Sequence, residues 1–205
     1  SACEPELGSG AAARTAGVVR SERERLAKRG LLPPLVTFAG DALSSRERSG
    51  ALLMGAHALP LLTCLGVSAG CFGGRDLDFS PRHLRHALVS RSAFPWVVST
   101  VVDRSTGAPP CGARPTALVD HFGVKVGVLG LVGEAWVHSV AFPAGLEVLD
   151  PVQHGSYLAR ELRREGADVV VALTHLSEEE DSRLGEAAEE LDLVLCGPHA
   201  ARGGG

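Results

Sequence analysis

Apolar residues fall in short blocks along the chain, separated by charged or Gly/Pro-rich stretches, and this rhythm predicts strands alternating with helices. Ala11 to Arg29 has a helical composition, Ala-rich and then crowded with Glu, Arg and Lys, and Gly30 stops it as a C′ residue. The charges form a solvated helix face, with Val18, Val19 and Leu26 turned toward a sheet. Pro33-Pro34 breaks the chain before the strand Leu35–Phe38. Ala51 to Leu65 predicts a helix disturbed or kinked at Pro60, Gly66 ends it, and Val67–Phe72 predicts a short strand. Ser80-Pro81 supplies an N-cap and first helical residue for a helix over His83–Val89.

Further along, Phe94 to Val102 is rich in β-branched residues and predicts one strand. Thr116–Phe122 and Val124–Leu131 predict two strands joined as a hairpin at Gly123. Gly155 to Glu165 reads as an amphipathic helix closed by Gly166. The strand Val169–Leu173, the helix Glu178 to Glu190 and the strand Leu191–Leu195 follow. Such alternation means an α/β fold whose helices cover a largely parallel sheet, with the hairpin adding antiparallel pairing. No repeat or linker divides the chain, so residues 1–205 read as one domain, with an irregular start and residues 200–205 as a tail.

Composition narrows this picture. The chain has 205 residues, 45% of them hydrophobic, which is ample for a buried core; only 4% are aromatic, so Leu, Val and Ala must fill it. The formal charge of −4 comes from interspersed acids and bases and points to neither nucleic acid nor an anionic membrane as partner. No apolar run approaches the ~20 residues of a membrane span. No charged-then-apolar leader opens the chain, and this favours the cytoplasm. Five scattered cysteines without a C-x-x-C resemble neither a disulfide framework nor a zinc knuckle, and fit a reducing compartment. Cys64, Cys71 and Cys196 sit in apolar surroundings and read as buried small hydrophobes.

Candidate chemistry gathers at the carboxyl ends of the strands, where α/β folds collect ligands. Four corners fall there: Gly40-Asp41, Gly73 to Asp78, Thr174-His175, and Cys196 to His199. Asp and His suit Zn, Mn, Fe or Mg, which makes Asp41, His175 and His199 the candidate metal ligands. Each corner also has a structural reading: Gly-Asp as a helix-entry turn, His175 as a strand-end cap, His199 as a surface histidine. The remaining histidines read as exposed or satisfied locally.

Taken together, the corners and the stretches between them resemble the catalytic domain of calcineurin-like metallophosphoesterases, nearest the 5'-nucleotidase group. The matching segments are Gly10-Ala11-Ala12-Ala13-Arg14, Val36 to Asp41, Gly74 to Phe79, Phe94 to Val101, Lys125 to Val132, Val170 to Leu176 and Asp192 to Gly197. The resemblance implies an αββα sandwich of mixed sheets flanked by helices. It implies a two-metal site in which Asp41 bridges the ions and His175 ligates one. It also implies a nucleotide or other phosphate monoester as substrate. Several positions depart from the family pattern. Gly74 stands where a ligand Asn is expected, and Arg75 where a His would act on the leaving-group side. Asp76 keeps the acidic position that would orient that His. Pro198 and Ala200 replace both closing histidines, so His199 serves only after a one-residue slip. The family's opening Asp-x-His strand would precede the first residue here. Arg75 can pair a phosphate through its fork of donors but cannot donate a proton near neutral pH. The resemblance therefore implies a 5'-nucleotidase-like domain with impaired catalysis. The alternative is a pseudoenzyme that binds a phosphorylated ligand or a protein partner.

Overall fold

The computed structural model describes residues 11–42, 57–74, 76, 80–133 and 144–197. Helix α1 (Ala11–Lys28) leads through Gly30 and the proline pair to strand β1 (Val36–Ala39). Arg23 of α1 donates to the Leu65 carbonyl, at 2.8 Å, and so ties α1 to the end of helix α2 (Ala58–Leu65). Val18 does not face a sheet as expected: it is 63% exposed, and α1 packs against α2. Pro60 lies in the first turn of α2, where its missing N–H interrupts no intrahelical bond, so it makes no kink there. The first part of the expected helix, residues 51–56, lies outside the described residues. Among the described residues, no helix is long and apolar enough to cross a membrane.

Strand β2 (Val67–Cys71) pairs in parallel with β1 and with the short β3 (Trp96–Val97), giving a three-stranded parallel sheet ordered β1-β2-β3. Between β2 and β3 runs helix α3 (Pro81–Ala87), whose N-cap Ser80 accepts from the His83 N–H at 3.1 Å. The nine-residue strand expected over Phe94–Val102 is divided into β3 and β4 (Val101–Asp103). The cause lies in the two hydroxyl residues between them. Ser99 donates through Oγ to the Pro115 carbonyl and accepts from the Gly130 N–H; Thr100 donates to the Val132 carbonyl and accepts from the Val132 N–H. Their side chains take the place of a strand neighbour and turn the chain onto the second sheet.

That second sheet is mixed, ordered β5-β6-β8-β9. β5 (Thr116–His121) and β6 (Val124–Val132) form the expected antiparallel hairpin, with Phe122 and Gly123 both at positive φ, as a tight two-residue hairpin turn requires. β8 (Val169–His175) runs parallel to β6, and β9 (Leu193–Cys196) runs parallel to β8. A strand not expected from the pattern, β7 (Leu146–Val148), pairs with β4 as a separate antiparallel ribbon. Helix α4 (Pro151–Arg164) begins four residues before the expected Gly155. Asp150 caps it by accepting from Val152 and Gln153, and Pro151 occupies its first position. Helix α5 (Glu178–Ala187) opens with a capping box between Ser177 and Glu180 and stops short of the expected Glu190.

Three apolar layers follow from this order. Between the sheets lie Ala69, Cys71, Val97, Val126, Val128, Val171 and Leu173. Outside the first sheet, Phe72 and Trp96 pack with Leu59 and Leu62 of α2 and Leu84 of α3. Outside the second, Leu129, Leu131 and Ala172 meet Ala159 and Leu162 of α4 and Leu184 of α5. The result is the helix–sheet–sheet–helix sandwich that the resemblance implied. The inner layer is made of small side chains because the sheets approach closely: a Cβ on Gly130 would lie 2.3 Å from the Val97 carbonyl oxygen.

Thr100 is fully buried and both hydrogen bonds of its hydroxyl serve Val132. Replacing it with Val keeps the shape but deprives a buried N–H and a buried C=O of a partner. Thr100→Val should lower stability in urea unfolding by about 2–4 kcal/mol; a loss below about 0.5 kcal/mol would show that the two sheets are not joined through this hydroxyl.

Candidate active site

β1 and β2 end level with each other, because Ala39 is in register with Cys71. The chain leaves β1 through Gly40, at φ +93, and Asp41, at φ +62. A left-handed conformation is uncommon for a residue with a Cβ, and Asp is among the few types that tolerate it. Glycine is required at both neighbouring positions. A Cβ on Gly40 would sit 2.5 Å from the Gly73 nitrogen, and a Cβ on Gly73 would sit 2.4 Å from Asp41 Oδ1. The Asp41 carboxylate therefore lies directly over the backbone at Gly73.

From the second sheet, β8 delivers His175 as its last residue. Its Nε2 is 3.8 Å from Asp41 Oδ2, beyond hydrogen-bond reach, with the two side chains 11% and 21% exposed. His175 Nδ1 is buried without a hydrogen-bond partner. The end of β9 closes over this pair: a Cβ on Gly197 would lie 2.5 Å from the Ala39 carbonyl oxygen and 2.9 Å from His175 Nδ1. Here the two sheets pinch together, and the pinch brings an acid from one against a histidine from the other.

Asp76 sits beneath this corner and is completely buried. Its Oδ2 accepts from the Gly73 N–H at 2.7 Å and the Asp41 N–H at 3.0 Å. Its carboxylate thus grips the backbone of both strand ends; residue 75, which the sequence has it orienting, lies outside the described residues. Arg75, Asp78 and His199 lie outside the described residues, as do Pro198 and Ala200.

Two cysteines border the site, and the thiols of both are shifted upward. Cys71 is buried, and burial first, then the Asp76 and Asp41 carboxylates, push its thiol well above the usual range. Cys196 is exposed rather than buried as expected, and Cys64 is half-buried. Desolvation of its sulfur, only partial because the residue is exposed, also raises the Cys196 thiol, with Thr174 opposing and Asp181 reinforcing the shift. Cys196 is in register with Thr174, on alternate positions from His175, so its side chain points to the helix side of the sheet, away from Asp41.

The donor set can be tested against a divalent cation. Two ligands each about 2.1 Å from an ion span at most about 4.2 Å, so the 3.8 Å between Asp41 and His175 accommodates one ion. Beyond that pair the fit stops: among the described residues, no group of three or more His, Cys, Asp or Glu side chains is placed to hold a metal. The described residues do not complete a two-metal centre.

No protein-family model matches the chain. It is 29% identical over 152 residues to a 2',3'-cyclic-nucleotide 2'-phosphodiesterase/3'-nucleotidase of Haemophilus influenzae, covering 69% of this chain and 23% of the relative. Among solved structures, a 5'-nucleotidase precursor from Thermus thermophilus superposes with a TM-score of 0.74 at 23% identity, covering 92% of this chain and 36% of that one. The calcineurin-like phosphoesterase YfkN from Bacillus subtilis superposes with a TM-score of 0.75 at 20% identity, covering 94% of this chain and 65% of that one. The chain therefore has the calcineurin-like metallophosphoesterase fold. The matches span between 15% and 34% of the length of the curated relatives.

The glycine contacts give a direct check on this geometry. Gly73→Ala drives a methyl group into the Asp41 carboxylate and should destabilise the protein by about 1–3 kcal/mol. A Cβ on Gly17, in the middle of α1, meets nothing within 4 Å, so Gly17→Ala should stabilise by about 0.5–1 kcal/mol. Thermal and urea unfolding of the two variants should therefore move in opposite directions.

Proposed function

We propose that this chain is a 5'-nucleotidase-like metallophosphoesterase domain directed at the phosphate monoesters of nucleotides, with catalysis impaired by an incomplete metal site. The observation that supports it most is the convergence of Asp41 and His175 from the carboxyl ends of strands in two different sheets of this fold. The Haemophilus relative named for 3'-nucleotidase activity supports the substrate class.

A divalent cation bound between Asp41 and His175 would supply Lewis-acid charge to a phosphoryl oxygen. The chain's own residues do the rest of what the geometry supports. Asp41 presents a carboxylate fixed from below, and His175 presents Nε2 from a rigid strand end. Gly197 narrows the corner and limits the motion of the imidazole. The impairment follows from composition at the neighbouring corner. Gly74 has no side chain to offer a cation, and Arg75 carries a positive charge where the family pattern has a neutral histidine. A guanidinium repels a second cation and donates hydrogen bonds to a phosphate without giving up a proton.

That same change supports a second reading, a pseudoenzyme that holds a phosphorylated ligand or a protein partner without turnover. The two readings separate in one set of assays with Mn²⁺, Zn²⁺, Fe²⁺ or Mg²⁺ added. Hydrolysis of nucleoside 5'-monophosphates should be slow, should require metal, and should be abolished by Asp41→Asn. The double variant Gly74→Asn/Arg75→His should raise turnover by about 10²-fold or more. If neither protein hydrolyses any phosphate monoester, yet nucleotides raise the melting temperature, the binding-module reading replaces the enzyme.

A further inference from the structure

Asp76 is the one charged side chain that is fully buried among the described residues. A buried carboxylate is costly unless its oxygens are engaged by donors, and the engagement here is specific. A single oxygen, Oδ2, takes the N–H of Gly73 at the end of β2 and the N–H of Asp41 at the end of β1. The loop closes further through the Asp76 N–H, which reaches the Gly73 carbonyl at 3.3 Å. These N–H groups lie just past the last paired residues, Ala39 and Cys71, where no neighbouring strand continues the ladder. Asp76 supplies the missing acceptor for both strand ends.

The bond to Asp41 has a consequence for its side chain. Asp41 is held at φ +62, a conformation an Asp leaves readily unless its surroundings determine it. The direction of the carboxylate depends on that backbone angle, and the Asp76 oxygen is a contact that fixes it. Asp76 itself is completely enclosed, so its carboxylate cannot meet a substrate from solvent.

We propose that Asp76 is the positioning residue of the candidate active site, acting on Asp41 through the backbone rather than on a substrate or an ion. The inference rests on the reading of Asp41 as a metal ligand only for its consequence; the backbone contact stands without it. Because one oxygen accepts both bonds, an amide oxygen in its place can do the same, more weakly. A proton-transferring carboxylate could not be replaced in that way.

The test uses the full chain and two variants, Asp76→Asn and Asp76→Ala, with amide hydrogen exchange read residue by residue and Mn²⁺ affinity by titration. Asp76→Ala should lower protection of the Asp41 and Gly73 amides by about 10-fold or more while β8 stays protected. It should also weaken Mn²⁺ binding by about 10–100-fold, the usual effect of removing a group that orients a ligand. Asp76→Asn should retain most of the protection and most of the affinity. Its Asp41 and Gly73 amide protons should both move upfield, since they lose a charged acceptor, and this signature decides the matter even if the Ala variant does not fold. Unchanged Asp41 and Gly73 signals in Asp76→Asn, or full Asp41 protection in Asp76→Ala, would overturn the proposal. Equal loss of Mn²⁺ in both variants with Asp41 protection intact would also overturn it, by making Asp76 a ligand. If the unmodified chain binds no Mn²⁺, the reading of the site as a metal centre fails, while the two amide signals still decide the role of Asp76.

Discussion

Two backbone N–H groups converging on one buried carboxylate oxygen set the shape of the corner where the chemistry would lie. The donors belong to the ends of β1 and β2, and the acceptor is Asp76. Charge-assisted bonds of this kind are roughly twice as strong as neutral ones, and an enclosed carboxylate has no bulk water to compete for it. With the two strand ends joined, Asp41 is held in its left-handed conformation and its carboxylate lies on Gly73. His175 then has a fixed group to face.

The sandwich supplies the rest of the rigidity. Its sheets approach so closely that Gly130 and Gly197 tolerate no side chain against the carbonyls of Val97 and Ala39. Ser99 and Thr100 stitch one sheet to the other through hydroxyl bonds to backbone groups. β8 is buried along its middle, so His175 emerges from a strand that cannot shift without disturbing both the inner layer and the packing of α4 and α5. A site built on such elements is held more closely than one built on loops.

Most of this architecture is legible in the residue pattern, because strand and helix periods, caps and glycine stops act locally. The hairpin at Gly123 and the Ser80-Pro81 helix start are of that kind. Asp150-Pro151 carries the same cap signal for α4, and reading it would place the helix start correctly. The misses come from tertiary contacts. The break between β3 and β4 depends on where Ser99 and Thr100 find partners, more than thirty residues away in the case of Gly130 and Val132. Val18 is exposed on α1, which packs against α2, and β7 is too short to show a period of two. At the site, Asp41 and His175 are visible as strand-end residues. The hold of Asp76 on the Asp41 and Gly73 amides is not, since nothing in the spacing of Asp76 tells which way its carboxylate turns.

A metallophosphoesterase fold thus brings Asp41 and His175 to one corner, and the central proposal is that they share one divalent cation. Anomalous diffraction from crystals soaked in Mn²⁺ tests this most directly. The expected result is an anomalous peak between Asp41 Oδ2 and His175 Nε2, within about 2.3 Å of each. Strong peaks elsewhere with none at this corner would contradict the claim.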